Sequence, residues 1–226
     1  TATGTWAGAG MYVYEGDGTI SGNTLDGNTS SSSSGLGGAL YAYDYGGYFT
    51  GNVVTDNVAT YAGGGLVLRE CDAVVSNNLI VDNAMDGLVS VDEDKTRFIN
   101  NTLDGNGYGI YLFNASGGKD PAPHLANTLI TDSDVYGIDV DDGEFKTLLN
   151  NDIYGSGEDD YTGMSDMTGS DGNLSADPLY VSSSDWSLGS GSPCVDAGRT
   201  ESRVTEDIDG TARPTGSAYD IGAYEQ

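Results

Sequence analysis

The chain has almost no positive charge. Lysine and arginine together number 8 against 35 aspartates and glutamates, and His124 is the one histidine. A net charge of -27 repels nucleic acid and anionic lipid, so neither is expected as a partner. One histidine is too few for a histidine metal cluster or a nucleophile triad. The two cysteines, Cys71 and Cys194, are too few for a disulfide framework, and the repeat described below sets them several coils apart. No stretch approaches the roughly 18 apolar residues of a membrane span, so no membrane insertion is expected. Long Leu/Ala/Glu/Lys tracts with a 3.6-residue period are missing too, which argues against helices. No signal-peptide pattern stands at the start and no cap helix precedes Met11. The chain therefore reads as a mature or excised piece whose first coil is covered by upstream sequence or by another subunit.

What is present is turn chemistry, repeated. Glycine numbers 35 and proline only 5. The hexapeptide Asn101-Thr102-Leu103-Asp104-Gly105-Asn106 returns at 23–28, 52–57 and 78–83, with shorter copies at Asn127-Thr128-Leu129 and Asn151-Asp152-Ile153. The leading asparagines lie 29, 26, 23, 26 and 24 positions apart (23→52→78→101→127→151). A second marker, a glycine followed by alternating apolar residues, keeps the same phase at Gly10, Gly38, Gly65, Gly87, Gly109 and Gly137. Apolar columns flank the asparagines. Three residues before them stand Ile20, Phe49, Val75, Phe98, His124 and Leu148; two after stand Leu25, Val54, Ile80, Leu103, Leu129 and Ile153.

A period of roughly 20 to 50 residues marks a solenoid. Each repeat holds about three short strands and is too small to bury its own face, so like residues must stack from repeat to repeat. The expected fold is all-β: a right-handed parallel β-helix of about six regular coils over residues 1–156. Residues 157–226 are expected to form irregular final coils and a C-terminal cap of the same solenoid. Asn28, Asn57, Asn83 and Asn106 should form a turn ladder of side-chain amides. Insertions fall at turns: the serine run Ser30 to Ser34, Gly117 to Pro123, and Gly157 to Gly172.

The stretch from Asn173 carries ordered motifs: Ser175-Ala176-Asp177-Pro178-Leu179-Tyr180-Val181, Trp186-Ser187-Leu188, Gly191-Ser192-Pro193-Cys194-Val195-Asp196-Ala197-Gly198, Asp207-Ile208-Asp209-Gly210 and Asp220-Ile221-Gly222-Ala223-Tyr224-Glu225. This series resembles the C-terminal end of secreted bacterial and archaeal right-handed β-helix proteins. The resemblance covers about residues 173–226 and implies an extracellular or cell-surface setting. Gly37-Gly38-Ala39-Leu40, with the pairs Phe49…Asn52 and Phe98…Asn101, is similar to the repeats of polymorphic outer-membrane adhesins.

Parallel β-helices include polysaccharide lyases and hydrolases, so each chemistry has to be tested on residues. The eight cations are spread over different coils with no common phase, which leaves no basic site of the lyase type. Asp139, Asp141, Asp142 and Glu144 are the densest acid on a strand and offer the oxygen ligands that calcium prefers. In the expected register Asp139 and Asp141 point outward about 7 Å apart, a spacing that suits an inverting glycosidase. The Gly-His-Gly motif of polygalacturonases is absent.

Tyr41, Tyr43, Tyr45 and Tyr48 cluster with Tyr12 and Tyr14 one coil earlier. If the residue after each marker glycine faces inward, the outward column is Tyr12, Leu40, Val67, Val89, Tyr111 and Asp139. A second outward column is Tyr14, Ala42, Arg69, Val91, Phe113 and Asp141. A solvated sheet face alternates with polar residues, whereas this one is apolar over five coils. Something should cover it: the C-terminal segment, another copy of the chain, a cell-surface partner or a polysaccharide. The expected contact residues are Tyr12, Tyr14, Tyr41, Tyr43, Tyr45, Tyr48, Val67, Val89 and Tyr111.

The sequence thus points to a non-enzymatic extracellular protein for structure, adhesion or self-assembly into filaments, acidic and calcium-binding. The alternative is a module that binds or cleaves polysaccharide. Sequons at Asn28, Asn114 and Asn173 hint at glycosylation.

Overall fold

The structure, a computed structural model, describes residues 8–31 and 35–226. Three parallel sheets run the length of a right-handed β-helix. The first has seven strands: Met11–Gly16, Leu40–Tyr45, Leu66–Arg69, Asp86–Val91, Tyr108–Phe113, Tyr136–Val140 and Asp159–Thr162. The second has six, from Thr19–Ser21 through Tyr48–Thr50, Val74–Ser76, Arg97–Ile99 and His124–Ala126 to Thr147–Leu149. The third also has six, from Thr24–Asp26 through Val53–Thr55, Leu79–Val81, Thr102–Asp104 and Leu129–Thr131 to Asp152–Tyr154. Every strand pairs with its copies one coil away, so each coil buries its apolar residues on their equivalents. Phe49, Val75, Phe98 and Leu125 form one such fully buried column, and Val54, Ile80, Leu103 and Ile130 form another.

Two asparagine ladders close the turns. Between the second and third sheets Asn23, Asn52, Asn78 and Asn101 pass hydrogen bonds from coil to coil, each backbone N–H and amide finding the next Oδ1. After the third sheet Asn28, Asn57, Asn83 and Asn106 repeat the arrangement. The glycines at the head of the first sheet are there because backbones meet: a Cβ on Gly65 would collide with the carbonyl oxygen of Gly87. Asn28 and Asn173 spend their amides in the ladders, and Asn114 donates to Gly118 O and Asp120 Oδ1 at the head of an exposed loop.

The expected register is one residue out in two coils, and a one-residue slip moves every side chain to the other face. In the second coil Met11 pairs with Leu40 and Tyr12 with Tyr41, so Leu40 and Ala42 face the core and Tyr41 and Tyr43 face outward. Gly37 and Gly38 serve the turn before the strand, leaving Ala39 in the glycine column. In the fifth coil the insertion before Pro123 lengthens the approach. Leu125 and Ile130 point inward there, in place of His124 and Leu129. Thr128 takes the ladder position, receiving Asn101 N–H weakly at 3.5 Å and donating its own N–H to Asn151 Oδ1 at 2.9 Å. Asn127 instead adopts the positive-φ turn position shared with Asn77, Asn100 and Asn150.

The serine run begins as structure, not as a loop. Thr29–Ser30 pairs in parallel with Val58–Ala59, and Ser30 is buried. Ser32 to Ser34 lie outside the described residues. Cys71 and Cys194 are both buried free thiols.

At the far end Met164 and Met167 pack against the core, and Asn173 receives Asn151 in the last ladder step. The chain then turns back along the flank of the third sheet. Leu188, Cys194 and Ile221 bury Leu129. Trp186 Nε1 donates to Asp104 Oδ2 at 2.8 Å, and Asn127 exchanges two bonds with the Arg199 backbone at 2.7 and 2.8 Å. Much of the tail's acid serves its own turns: Asp196 Oδ1 accepts Ser217 and Ala218 N–H, and Asp207 Oδ1 accepts Asp209 and Thr211 N–H.

One core acid makes a testable statement about pH. Asp94 is fully buried, hydrogen-bonded by Ser90 and Thr96, and burial pushes its carboxyl up to about 7. Its folded value lies above its unfolded one, so the native state holds the extra proton between roughly pH 4 and 7, and stability falls as pH rises through that window. Asp94→Asn keeps the shape without the charge. It should gain on the order of 4 kcal/mol over the parent at pH 8 and almost nothing at pH 4, as measured by urea unfolding at both values.

Candidate functional site

The outer face of the first sheet collects the aromatic side chains. Tyr12 stacks on Tyr41 (ring centroids 5.7 Å apart, planes 4° apart) and Tyr14 on Tyr43 (5.5 Å, 7°). The in-register pairing of the first two strands requires this, because equivalent side chains then stand above one another. Arg69, next in the second column, lies over the Tyr43 ring at 5.7 Å and bonds to Asp92 Oδ2 at 2.6 Å. Together these four tyrosines and Arg69 line a shallow recess of about 330 Å³. Tyr12 and Tyr14 are 50 % and 58 % exposed, whereas Tyr41 is buried, so the recess has exposed rims and a firm base. Tyr43 Oη donates to Glu70 Oε2 at 3.0 Å. Burial raises the Tyr41 phenol, and for Tyr43 the bond to Glu70 is the main cause of a raise, so both stay protonated near neutrality.

Beyond the recess the face is apolar. Val67, Val89, Val91 and Phe113 join Tyr41 in one buried cluster with Leu36 and Ala62, which come from the loops entering the sheet. These loops, and not the C-terminal segment, lie against the middle of the face; the tail goes to the third sheet and the adjoining edge of the second. Of the expected contact residues, Tyr12, Tyr14, Tyr41, Tyr43, Val67, Val89 and Tyr111 do share this face. Tyr45 does not: it points into the core and donates to the carbonyls of Gly18 and Tyr48. Tyr48 is exposed on the second sheet, away from the others.

The far end of the face is acidic and aromatic. Tyr111 stacks with Phe113, and Tyr108 contacts both Tyr111 and Tyr136. Tyr108 and Tyr136 are each followed by a marker glycine and an isoleucine, a recurrence that announces them in the sequence. Asp139 is half-buried beside Tyr111, and Asp141 accepts a long 3.4 Å bond from Tyr111 Oη. Burial, then the neighbouring Asp141 charge, raises Asp139. Asp86, which no sequence pattern singled out, is buried at the start of its strand, accepts Gly63 N–H at 2.8 Å, and is pushed by burial to about 6. Asp142 and Glu144 are exposed in the following turn. Among the described residues no three His, Cys, Asp or Glu side chains converge to hold a metal ion, Asp139, Asp141, Asp142 and Glu144 included.

The cations are not spread as the sequence suggested. Arg97, Arg199 and Arg203 meet His124 around one groove on the second sheet, because the tail folds back to that sheet's edge.

The profile of the family described as right handed beta helix region matches residues 1–121. No curated protein matches the chain. Among solved structures, the crystal structure of a pectate lyase is similar over 95% of this chain and 69% of that one, with 14% identity and a TM-score of 0.38. The likeness is too distant to carry residue roles across. With more than half of its residues matched, the chain belongs to the right-handed β-helix family.

Proposed function

We propose that the chain is a non-catalytic, extracellular adhesion module that holds a glycan against the outer face of its first sheet. The observation that carries this reading is the tyrosine recess: two stacked pairs with a guanidinium at their foot, open to solvent along Tyr12 and Tyr14. Tyrosines offer wide, rigid contact area for sugar C–H groups and hydroxyls for hydrogen bonding, at little entropic cost. The groups there do not support bond breaking. Arg69 is charge-paired with Asp92, and the Tyr41 and Tyr43 phenols are held in their protonated form.

The test is the double variant Tyr12→Ala/Tyr14→Ala, whose side chains are exposed and whose loss should leave the fold intact. Calorimetry against neutral and acidic oligosaccharides, with and without calcium, should show at least about a tenfold loss of affinity relative to the parent. Unchanged affinity would remove this face from consideration. Tyr45→Phe, a core change, should bind as the parent does.

A second reading rests on the acidic end of the same face. Asp86 and Asp139 are both raised beside Tyr111, the kind of environment in which a carboxylic acid stays protonated long enough to donate. A β-helix hydrolase would then work at Asp139 and Asp141. Release of new reducing ends by the parent and not by Asp139→Asn would favour it.

A further inference from the structure

The least expected feature of so acidic a chain is a basic groove. On the outer face of the second sheet Arg97, His124 and Thr147 occupy the same position in three successive coils. The tail, tied down at Asn127 through the Arg199 backbone, brings Arg199 and Arg203 to the other wall. Lys146 precedes Thr147, and its charge is felt at His124 with those of Arg97 and Arg203. The groove encloses about 250 Å³ over an apolar floor that includes Ala126 and Leu149. Half of the chain's 8 lysines and arginines therefore surround its one histidine.

Like charges gathered at one place cost free energy unless something answers them. The partners present answer only part. Arg97 meets Asp72 at 2.9 Å in a solvent-exposed pair, and Arg199 meets Glu201 at 3.0 Å. Exposed pairs of this kind are worth at most about 1 kcal/mol and exchange readily. Among the described residues Arg203, on the groove's wall, has no ion pair, and neither has Lys146, which stands outside the lining but close enough for its charge to reach His124. The chain's overall charge does not cancel them, since exposed charges beyond about 8 Å are screened at physiological ionic strength. Thr147 Oγ1 lies 2.9 Å from His124 Nδ1, so a hydroxyl and a ring nitrogen stand beside the cations as neutral hydrogen-bonding groups.

We propose that this groove is an oxyanion site that takes a doubly charged tetrahedral group, a sulfate or a phosphate, either free or as an ester on a sugar. Two unanswered cations match a dianion better than a single carboxylate. Guanidinium forks from opposite walls suit a tetrahedral set of oxygens. The apolar floor has room for the carbon skeleton of an ester. The groove lies on a different sheet from the tyrosine recess, and each can be removed without the other.

His124 reports on the site directly, because a spectrum of histidine side chains contains this residue alone. In the unliganded protein its imidazole titrates below the usual value, through burial first and then the charges of Arg97, Lys146 and Arg203, opposed by Asp72. A bound dianion reverses the sign of the local charge and should raise the titration by about half a unit or more. The experiment is an NMR pH titration of His124 in the full chain with sodium sulfate, against sodium chloride at matched ionic strength, followed by galactose 6-sulfate and glucose 6-phosphate. The expected result is a saturable upward shift with sulfate and none with chloride. Tighter saturation by either sugar ester identifies an ester as the natural ligand; equal saturation identifies the free ion. Arg203→Gln/Lys146→Gln, both exposed in the parent, should raise the unliganded titration and weaken sulfate binding about tenfold. Tyr12→Ala/Tyr14→Ala should leave both unchanged. A shift that follows ionic strength alone, or a double variant that binds sulfate as the parent does, overturns the proposal.

Discussion

Asn78→Ala should lower the folding stability by about 3 to 5 kcal/mol. Asn78 is wholly buried in the middle of the turn ladder. Its Oδ1 receives both the backbone N–H and the side-chain amide of Asn52, and its Nδ2 donates to Phe49 O and Asn101 Oδ1. Alanine leaves the Asn52 N–H and the Phe49 carbonyl without their partners in a dry interior. Each orphaned group costs about 1 to 3 kcal/mol, whereas a hydrogen bond exchanged for water costs about 1. Asn23 is exposed and, among the described residues, accepts no ladder bond, so Asn23→Ala should cost less than about 1 kcal/mol. Urea unfolding of the two variants measures the contrast. Equal losses would mean that the ladder is not cooperative along the axis.

The second large effect is expected at Arg213. Its guanidinium is buried and donates to Glu225, to the carbonyl of Gly222 and to Asn77 Oδ1 of the third coil. Glu225 in turn accepts Thr215 and Asp220 N–H. The ion pair therefore holds the end of the tail together and fixes it to the solenoid. Arg213→Met removes one partner and leaves a buried carboxylate unanswered, at a cost of about 3 to 5 kcal/mol. Arg213→Met/Glu225→Leu removes both and should recover a large part of the loss. Limited proteolysis should cut the single variant between residues 198 and 218 well before the coils. A tail that stays resistant in the single variant would show that Leu188, Cys194 and Ile221 hold it without the ion pair.

The winding was legible because the same requirement recurs in every coil: an amide to bridge each turn, a small residue where backbones touch, and an apolar side chain on each inward column. The two register errors have a common origin. In the second coil glycine occurs twice, at Gly37 and Gly38, and in the fifth asparagine occupies the turn at Asn127 while Thr128 takes the ladder position. In each the conspicuous marker stands one place from the true column, and alternation carries the offset to Leu40, Ala42, His124 and Leu129. Tyr45 was misplaced for a related reason. It has the parity of the outward Tyr41 and Tyr43, so alternation groups it with them, but the positive φ at Asp44 breaks the alternation and turns its ring into the core.

The path of the tail was not legible, since it depends on Leu129 being outward and on amides at Asn77, Asn100, Asn127 and Asn150 being turned to receive it. The basic groove followed from that path and was hidden for the same reason. Arg97 and Arg203 are about a hundred residues apart in sequence and meet only because the chain reverses. The four tyrosines of the recess, by contrast, lie within two consecutive coils, and clustering in the sequence became clustering in space.

The central claim is that the outer face of the first sheet binds without reacting. It is tested most directly by incubating the parent with the oligosaccharide that it binds best in calorimetry and following reducing ends, unsaturated products and retained affinity in one sample over a day. The account predicts undiminished binding, with no new reducing ends and no absorbance from unsaturated sugar. Product that accumulates with the parent and disappears with Asp139→Asn would contradict it.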